Sequence, residues 1–210
     1  MIIQLALDRM NMKEAIEMAR TVESSIDWIE VGTSLIKEFG TTSIKKMKNQ
    51  FPDKKIVADM KTMDNAAYEM DLCFQEGADV ATVMGAAPDV TIQKCLEKAS
   101  EYKGQIMIDL LNVSDSRFEQ LQIYKQAVFC EHVSKDSQEI ADHAVAKMRK
   151  QDGLIRAVAG GITLASLPEM IRQGPDVIII GSAITKAKDP AEAARLFKET
   201  ISMVKGVNEV

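Results

Sequence analysis

The chain has 210 residues, 46% of them apolar, and a formal net charge of −5. That length suffices for one domain with a sizeable core, and the acidic balance argues against a nucleic-acid partner. No apolar run approaches the ~18 residues of a membrane span, so no membrane role is expected; the opening MIIQLALD, without a basic segment or cleavage site before it, reads as cytoplasmic.

Strand-like and helix-like stretches alternate along the chain. Residues 2–8 (IIQLALD) predict a first strand ending at Asp8. A helix face follows, with Ala15, Met18, Ala19 and Val22 at helical spacing. Residues 27–32 (DWIEVG) give a strand carrying Glu30, and 55–61 (KIVADMK) a third carrying Asp59 and Lys61. Residues 79–85 end at Gly85, and the next helix presents Ile92, Cys95, Leu96 and Ala99 on one side. The strands at 105–111 and 127–133 carry Asp109 and His132, and those at 154–161 and 176–183 carry Gly160 with Gly161 and Gly181 with Ser182. The last helix opens with Asp189 as N-cap and Pro190 at its first position. Most strands are near-continuous apolar runs, as parallel strands covered on both faces are. Eight β–α units in 210 residues predict an α/β fold, a single (β/α)8 (TIM) barrel domain over residues 1–210, with a doubly wound open sheet as the alternative. The three cysteines (Cys73, Cys95, Cys130) form neither a metal motif nor a disulfide framework, and Cys73 and Cys95 read as core.

In a barrel the carboxyl ends of all strands converge on one mouth, where active sites sit. The mouth would gather Asp8, Glu30, Asp59, Lys61, Asp109 and His132, a set costly to desolvate unless substrate, metal or mutual pairing offsets it. On a strand, alternation puts Asp59 and Lys61 on the same face and Met60 on the other, so the carboxylate holds the ammonium protonated. After the last two strands, Gly160, Gly161, Gly181 and Ser182 offer close backbone approach and exposed N–H groups, the pattern of a phosphate site.

Asp59-Met60-Lys61-Thr62-Met63-Asp64 matches the D-x-K-x-x-D signature of the orotidine 5′-phosphate decarboxylase superfamily, which the chain resembles. The stretches LALD, IEVGT, VADMKTMD, GADVATVMG, AVAGGI, GPDVIIIGSAIT and DPAEAAR are most similar to its 3-hexulose-6-phosphate synthase branch, with the 3-keto-L-gulonate-6-phosphate decarboxylases as close relatives. Ala159, Ser182 and Asp109 stand where that decarboxylase has threonine, arginine and glutamate. Phosphate binding without that arginine would rest mainly on backbone amides. The loop His132-Val133-Ser134-Lys135-Asp136 departs from the synthase pattern and is closer to the decarboxylase, with Lys135 for arginine.

The resemblance implies an Mg2+-dependent (or Mn2+-dependent) lyase that joins formaldehyde to ribulose 5-phosphate through an enediolate. The alternatives are the decarboxylase or another enediolate-forming sugar-phosphate lyase, or a sugar-phosphate binding protein without turnover. Glu30 and Asp59 would be the metal ligands, since hard carboxylate oxygens suit Mg2+. Lys61 would face the developing negative charge, and Asp8 would position Lys61 or a substrate hydroxyl. His132 leads as general acid/base, because imidazole titrates near neutrality. Asp109 would bind substrate or assist the proton transfer. Asp64 lies past the strand end, and the resemblance implies that it enters the neighbouring subunit's site across a homodimer, with the N-cap of the next helix as its alternative role. His143 reads as a solvated helix residue.

Overall fold

The computed structural model describes residues 1–140, 148–149 and 152–208. The strands are β1 (Ile2–Leu7), β2 (Trp28–Val31), β3 (Lys55–Thr62), β4 (Val80–Met84), β5 (Gln105–Asp109), β6 (Val128–His132), β7 (Ile155–Ala159) and β8 (Val177–Ile180). The helices are α1 (Met12–Val22), α2 (Thr33–Phe39), α3 (Thr42–Gln50), α4 (Ala66–Gln75), α5 (Asp89–Glu101), α6 (Asp115–Leu121), α7 (Lys135–Ile140), α8 (Leu167–Arg172), α9 (Ser182–Thr185) and α10 (Pro190–Asn208). His143 lies outside the described residues.

All eight strands pair in parallel and in chain order, and β1 closes the ring on β8 with Ile3 opposite Ile178 and Leu5 opposite Ile180. Closure gives the predicted (β/α)8 barrel and excludes the open sheet, which would leave two edges. The strands are mostly apolar because each has two faces to bury. Leu5, Ile29, Ile56, Ile106 and Ile178 point outward into the layer beneath the helices. Trp28, Val57, Val80, Met107, Val128 and Val177 point inward and plug the barrel. One inward step further, β2, β3, β4 and β5 carry Glu30, Asp59, Thr82 and Asp109, and β6 ends at His132, so the charged groups gather at the carboxyl end of the barrel.

Local chemistry starts the helices where the sequence places them. Asn11 and Glu14 form a reciprocal capping box on α1, and the Asp189 carboxylate accepts the Glu192 N–H at 3.0 Å to open α10, as expected. The connection from β2 to β3 holds two helices instead of one, with α2 ending at Gly40 in the left-handed region (φ +66°). Cys73 and Cys95 are buried in α4 and α5, as predicted. Among the described residues no helix is long and apolar enough to cross a membrane.

Candidate active site

The strand ends open into a cavity of about 880 Å³. Asp8, Glu30, Asp59, Lys61, Asp109 and His132 all line it, together with Gly160, Gly161, Gly181 and Ser182. Gly85 stands apart; a Cβ there would come within 2.9 Å of the Val113 side chain, so that glycine serves packing.

Lys61 sits on an irregular strand end. The register of β3 against β4 shifts between Ala58 and Thr62, and Lys61 is left-handed at φ +54°. Its backbone N–H donates to Thr82 Oγ1 at 2.8 Å, which satisfies a group the shifted ladder leaves out. Met60 packs outward against the helical layer, as the alternation predicted. The Lys61 ammonium lies 2.9 Å from Asp59 Oδ1 and 3.0 Å from Asp109 Oδ2. Thr82 Oγ1 donates to Asp59 Oδ1 at 3.0 Å and Thr33 Oγ1 to Asp59 Oδ2 at 2.6 Å, so Asp59 is fixed from β4 and α2 at once. Asp109 Oδ1 accepts the Leu111 N–H at 2.9 Å, and its Oδ2 also meets His132 Nδ1 at 2.9 Å. A continuous chain results: Asp59, Lys61, Asp109, His132.

Its charges are unevenly compensated. Burial pulls the Lys61 ammonium toward neutrality, but Asp59 and Asp109 outweigh this and hold its pKa well above the ordinary value. Burial pushes Asp109 up, yet the His132 hydrogen bond and the Lys61 charge win and hold it at about 2. Glu30 is pushed up to about 8, by burial first and then by Asp59 and Asp8. Burial, with Asp109 and Glu30 nearby, raises the Cys130 thiol well above its usual range, so that barrel-interior cysteine stays protonated.

Two expected residues sit differently. Asp8 Oδ1 accepts the backbone N–H of Ser34 at 3.0 Å and its hydroxyl at 2.8 Å, so Asp8 is tied to the start of α2 instead of to Lys61. Gly32 makes this approach possible, since a Cβ there would lie 2.3 Å from the Asp8 carboxylate. Asp64 is exposed, is absent from the cavity wall, and accepts the N–H of Asn65 at 2.7 Å. The N-cap position of α4 belongs to Asn65, which corrects the N-cap alternative for Asp64.

Sequence reasoning missed the supporting hydroxyls of Thr33 and Thr82, the cavity-lining Lys186, and Gln4 beneath Glu30. Polar residues inside the apolar runs IIQLAL and VATVM were the available signal for Gln4 and Thr82. At the altered loop, Ser134 caps the start of α7 through the Ser137 N–H at 3.0 Å. Gln138 Nε2 reaches Val133 O at 2.7 Å, and Gly160 at φ +97° leaves room for both, since a Cβ there would lie 2.5 Å from Val133 O.

Among the described residues no group of three or more His, Cys, Asp or Glu forms a metal cage. Two buried carboxylates with hard oxygens, Glu30 and Asp59, nevertheless face one cavity, and Glu30 is raised by burial first and by Asp59 second. That donor set fits Mg2+, which keeps several waters and takes one or two carboxylates.

Residues 1–197 match the model of the orotidine 5′-phosphate decarboxylase / HUMPS family. The chain is 38% identical over 205 residues to a 3-hexulose-6-phosphate synthase of Bacillus subtilis, covering 95% of this chain and 98% of that protein. The 3-hexulose-6-phosphate synthase structure from Salmonella typhimurium superposes with a TM-score of 0.90 at 34% identity, over 97% of this chain and 100% of that one. The 3-keto-L-gulonate-6-phosphate decarboxylase structure from Vibrio cholerae superposes with a TM-score of 0.82 at 28% identity, over 97% of this chain and 98% of that one. With the family match spanning nearly the whole chain, the protein belongs to the orotidine 5′-phosphate decarboxylase / HUMPS family.

Proposed function

We propose that this chain is a 3-hexulose-6-phosphate synthase, joining formaldehyde to D-ribulose 5-phosphate by aldol condensation. The observation that carries the reading is the Asp59–Lys61–Asp109–His132 chain at the cavity mouth, in a protein 38% identical to a synthase of that name. Ionised Asp109 accepts a hydrogen bond from the Nδ1–H of His132, which leaves Nε2 as the basic nitrogen. His132 Nε2 removes a proton from C1 of the pentulose phosphate, and the electron pair passes into the C1–C2 enediolate. The Lys61 ammonium, held charged by its two carboxylates, faces the negative charge as it develops. The enediolate carbon attacks the carbonyl carbon of formaldehyde, a C–C bond forms, and the new alkoxide takes a proton from the His132 imidazolium. Mg2+ on Glu30 and Asp59 would add electrophilic stabilisation of the same oxygens. Gly160, Gly161, Gly181 and Ser182 hold the phosphate, with Lys186 lining the same cavity. Asp64, outside its own cavity, serves the neighbouring site of a homodimer.

The loop after His132 favours one second reading. Ser134, Lys135 and Asp136 line the cavity; Ser134 and Asp136 follow the decarboxylase pattern, with Lys135 in place of its arginine, so 3-keto-L-gulonate 6-phosphate decarboxylation is the competing activity. The test is formaldehyde consumption by purified protein with ribulose 5-phosphate and Mg2+, with 3-keto-L-gulonate 6-phosphate run in parallel. Consumption that EDTA stops is the expected result; decarboxylation alone would replace this assignment with the second.

A further inference from the structure

Gln4 lies in the middle of β1 and is fully buried. It occupies an inward position between Ile2 and Ala6, both of which pack on the barrel's apolar plug. Its Nε2 donates to Glu30 Oε2 at 2.5 Å. Its Oε1 is buried with no hydrogen-bond partner among the described residues. An amide with one arm unsatisfied is a poor choice for barrel packing, where an apolar side chain of the same length would carry no such desolvation cost. The fold therefore gives no reason for glutamine at this position, and the one hydrogen bond its side chain makes among the described residues is with Glu30.

We infer that Gln4 is a positioning residue for the divalent-cation site. It locks one oxygen of the Glu30 carboxylate from below and leaves the other for a cation in the cavity, which Glu30 lines and Gln4 does not. Residues behind a metal ligand fix its orientation, and their loss commonly weakens metal affinity by roughly 10- to 100-fold. This role rests on the proposed Glu30–Asp59 metal site.

The test is calorimetric titration of the metal-free protein with Mg2+ and with Mn2+, alongside thermal unfolding in EDTA. Gln4→Met keeps the length and removes the donor. Its expected result is a dissociation constant raised roughly tenfold or more, with a cooperative thermal transition retained in EDTA, since the variant removes one orphaned oxygen while Glu30 Oε2 loses its donor. Gln4→Leu is the second variant should methionine fail to pack. A dissociation constant within about twofold of the parent would overturn the inference, whatever happens to turnover. In a Glu30→Gln background, adding Gln4→Met is expected to change metal affinity no further; an additional loss would show that Gln4 acts by another route and would also overturn it. Should the parent protein bind neither cation, the metal reading itself falls and takes the Gln4 role with it, a pattern distinct from a parent that binds and a variant that is unaffected.

Discussion

Replacing Lys61 by alanine removes the cation from between two buried carboxylates, Asp59 at 7% and Asp109 at 3% exposure. With ammonium-to-oxygen distances of 2.9 and 3.0 Å, the charge centres are about 4 Å apart, and each pair is worth about 4 kcal/mol at an effective dielectric of about 20. The full sum is not lost, because one carboxylate takes up a proton once the ammonium is gone. Orphaning buried charges in this way costs about 3–5 kcal/mol. For a chain of this size that corresponds to a fall of roughly 6–20 °C in Tm, at about 2–4 °C per kcal/mol. The deficit has a definite pH dependence. Without Lys61, Asp109 keeps the burial that raises its pKa and loses a charge that lowers it, so the variant's folded state takes up protons more readily than the parent's and its deficit grows as pH rises. The Tm gap between parent and Lys61→Ala is therefore larger at about pH 8 than at about pH 5. Turnover of formaldehyde falls at least ~10²–10³-fold, the usual effect of losing one preorganised charge partner. Calorimetry across roughly pH 5–9, with the formaldehyde assay, checks both parts. A Tm gap that is constant or larger at the acid end, or activity within about tenfold of the parent, would refute the reasoning.

In the parent, Asp109 has a folded pKa of about 2 against an ordinary 3.8, so its contribution is complete above 3.8 and is lost as pH falls through about 2; acid unfolding of Asp109→Asn should lack that component. His132→Gln should lower kcat by roughly 10²–10⁴ with little change in KM, as read from steady-state kinetics, because it removes a proton acceptor and leaves the phosphate site intact. Mixing inactive Lys61→Ala with inactive Asp64→Ala should restore measurable activity if Asp64 serves the partner's site; no recovery after subunit exchange would place Asp64 outside the shared site. Because Glu30 is held up to about 8 in the metal-free protein, cation binding displaces a proton there, and Mg2+ affinity should rise with pH until about pH 8 and then level off in calorimetric titrations.

The sequence on its own determined the barrel's parts. Eight apolar runs with helical stretches between them leave parallel strands buried on both faces as the natural solution, and the placement of Asp8, Glu30, Asp59, Asp109 and His132 at strand ends marks the mouth. Those signals are local: strand periodicity, helix caps such as Asn11 and Asp189, and glycines at turns are properties of short segments. Which groups touch is not a local property. The meeting of Lys61 with Asp109 and of Asp109 with His132 depends on the closed β1–β8 ring and on the stagger of neighbouring strands. The left-handed turn at Lys61 and its tie to Thr82 depend on a register shift between two strands that no single segment encodes. Asp8 shows the same limit, since its binding to Ser34 follows from β1 and β2 lying side by side. Gln4 stands out as a polar residue in an apolar strand, yet only the pairing of β1 with β2 put Glu30 over its amide and left Oε1 without a partner among the described residues.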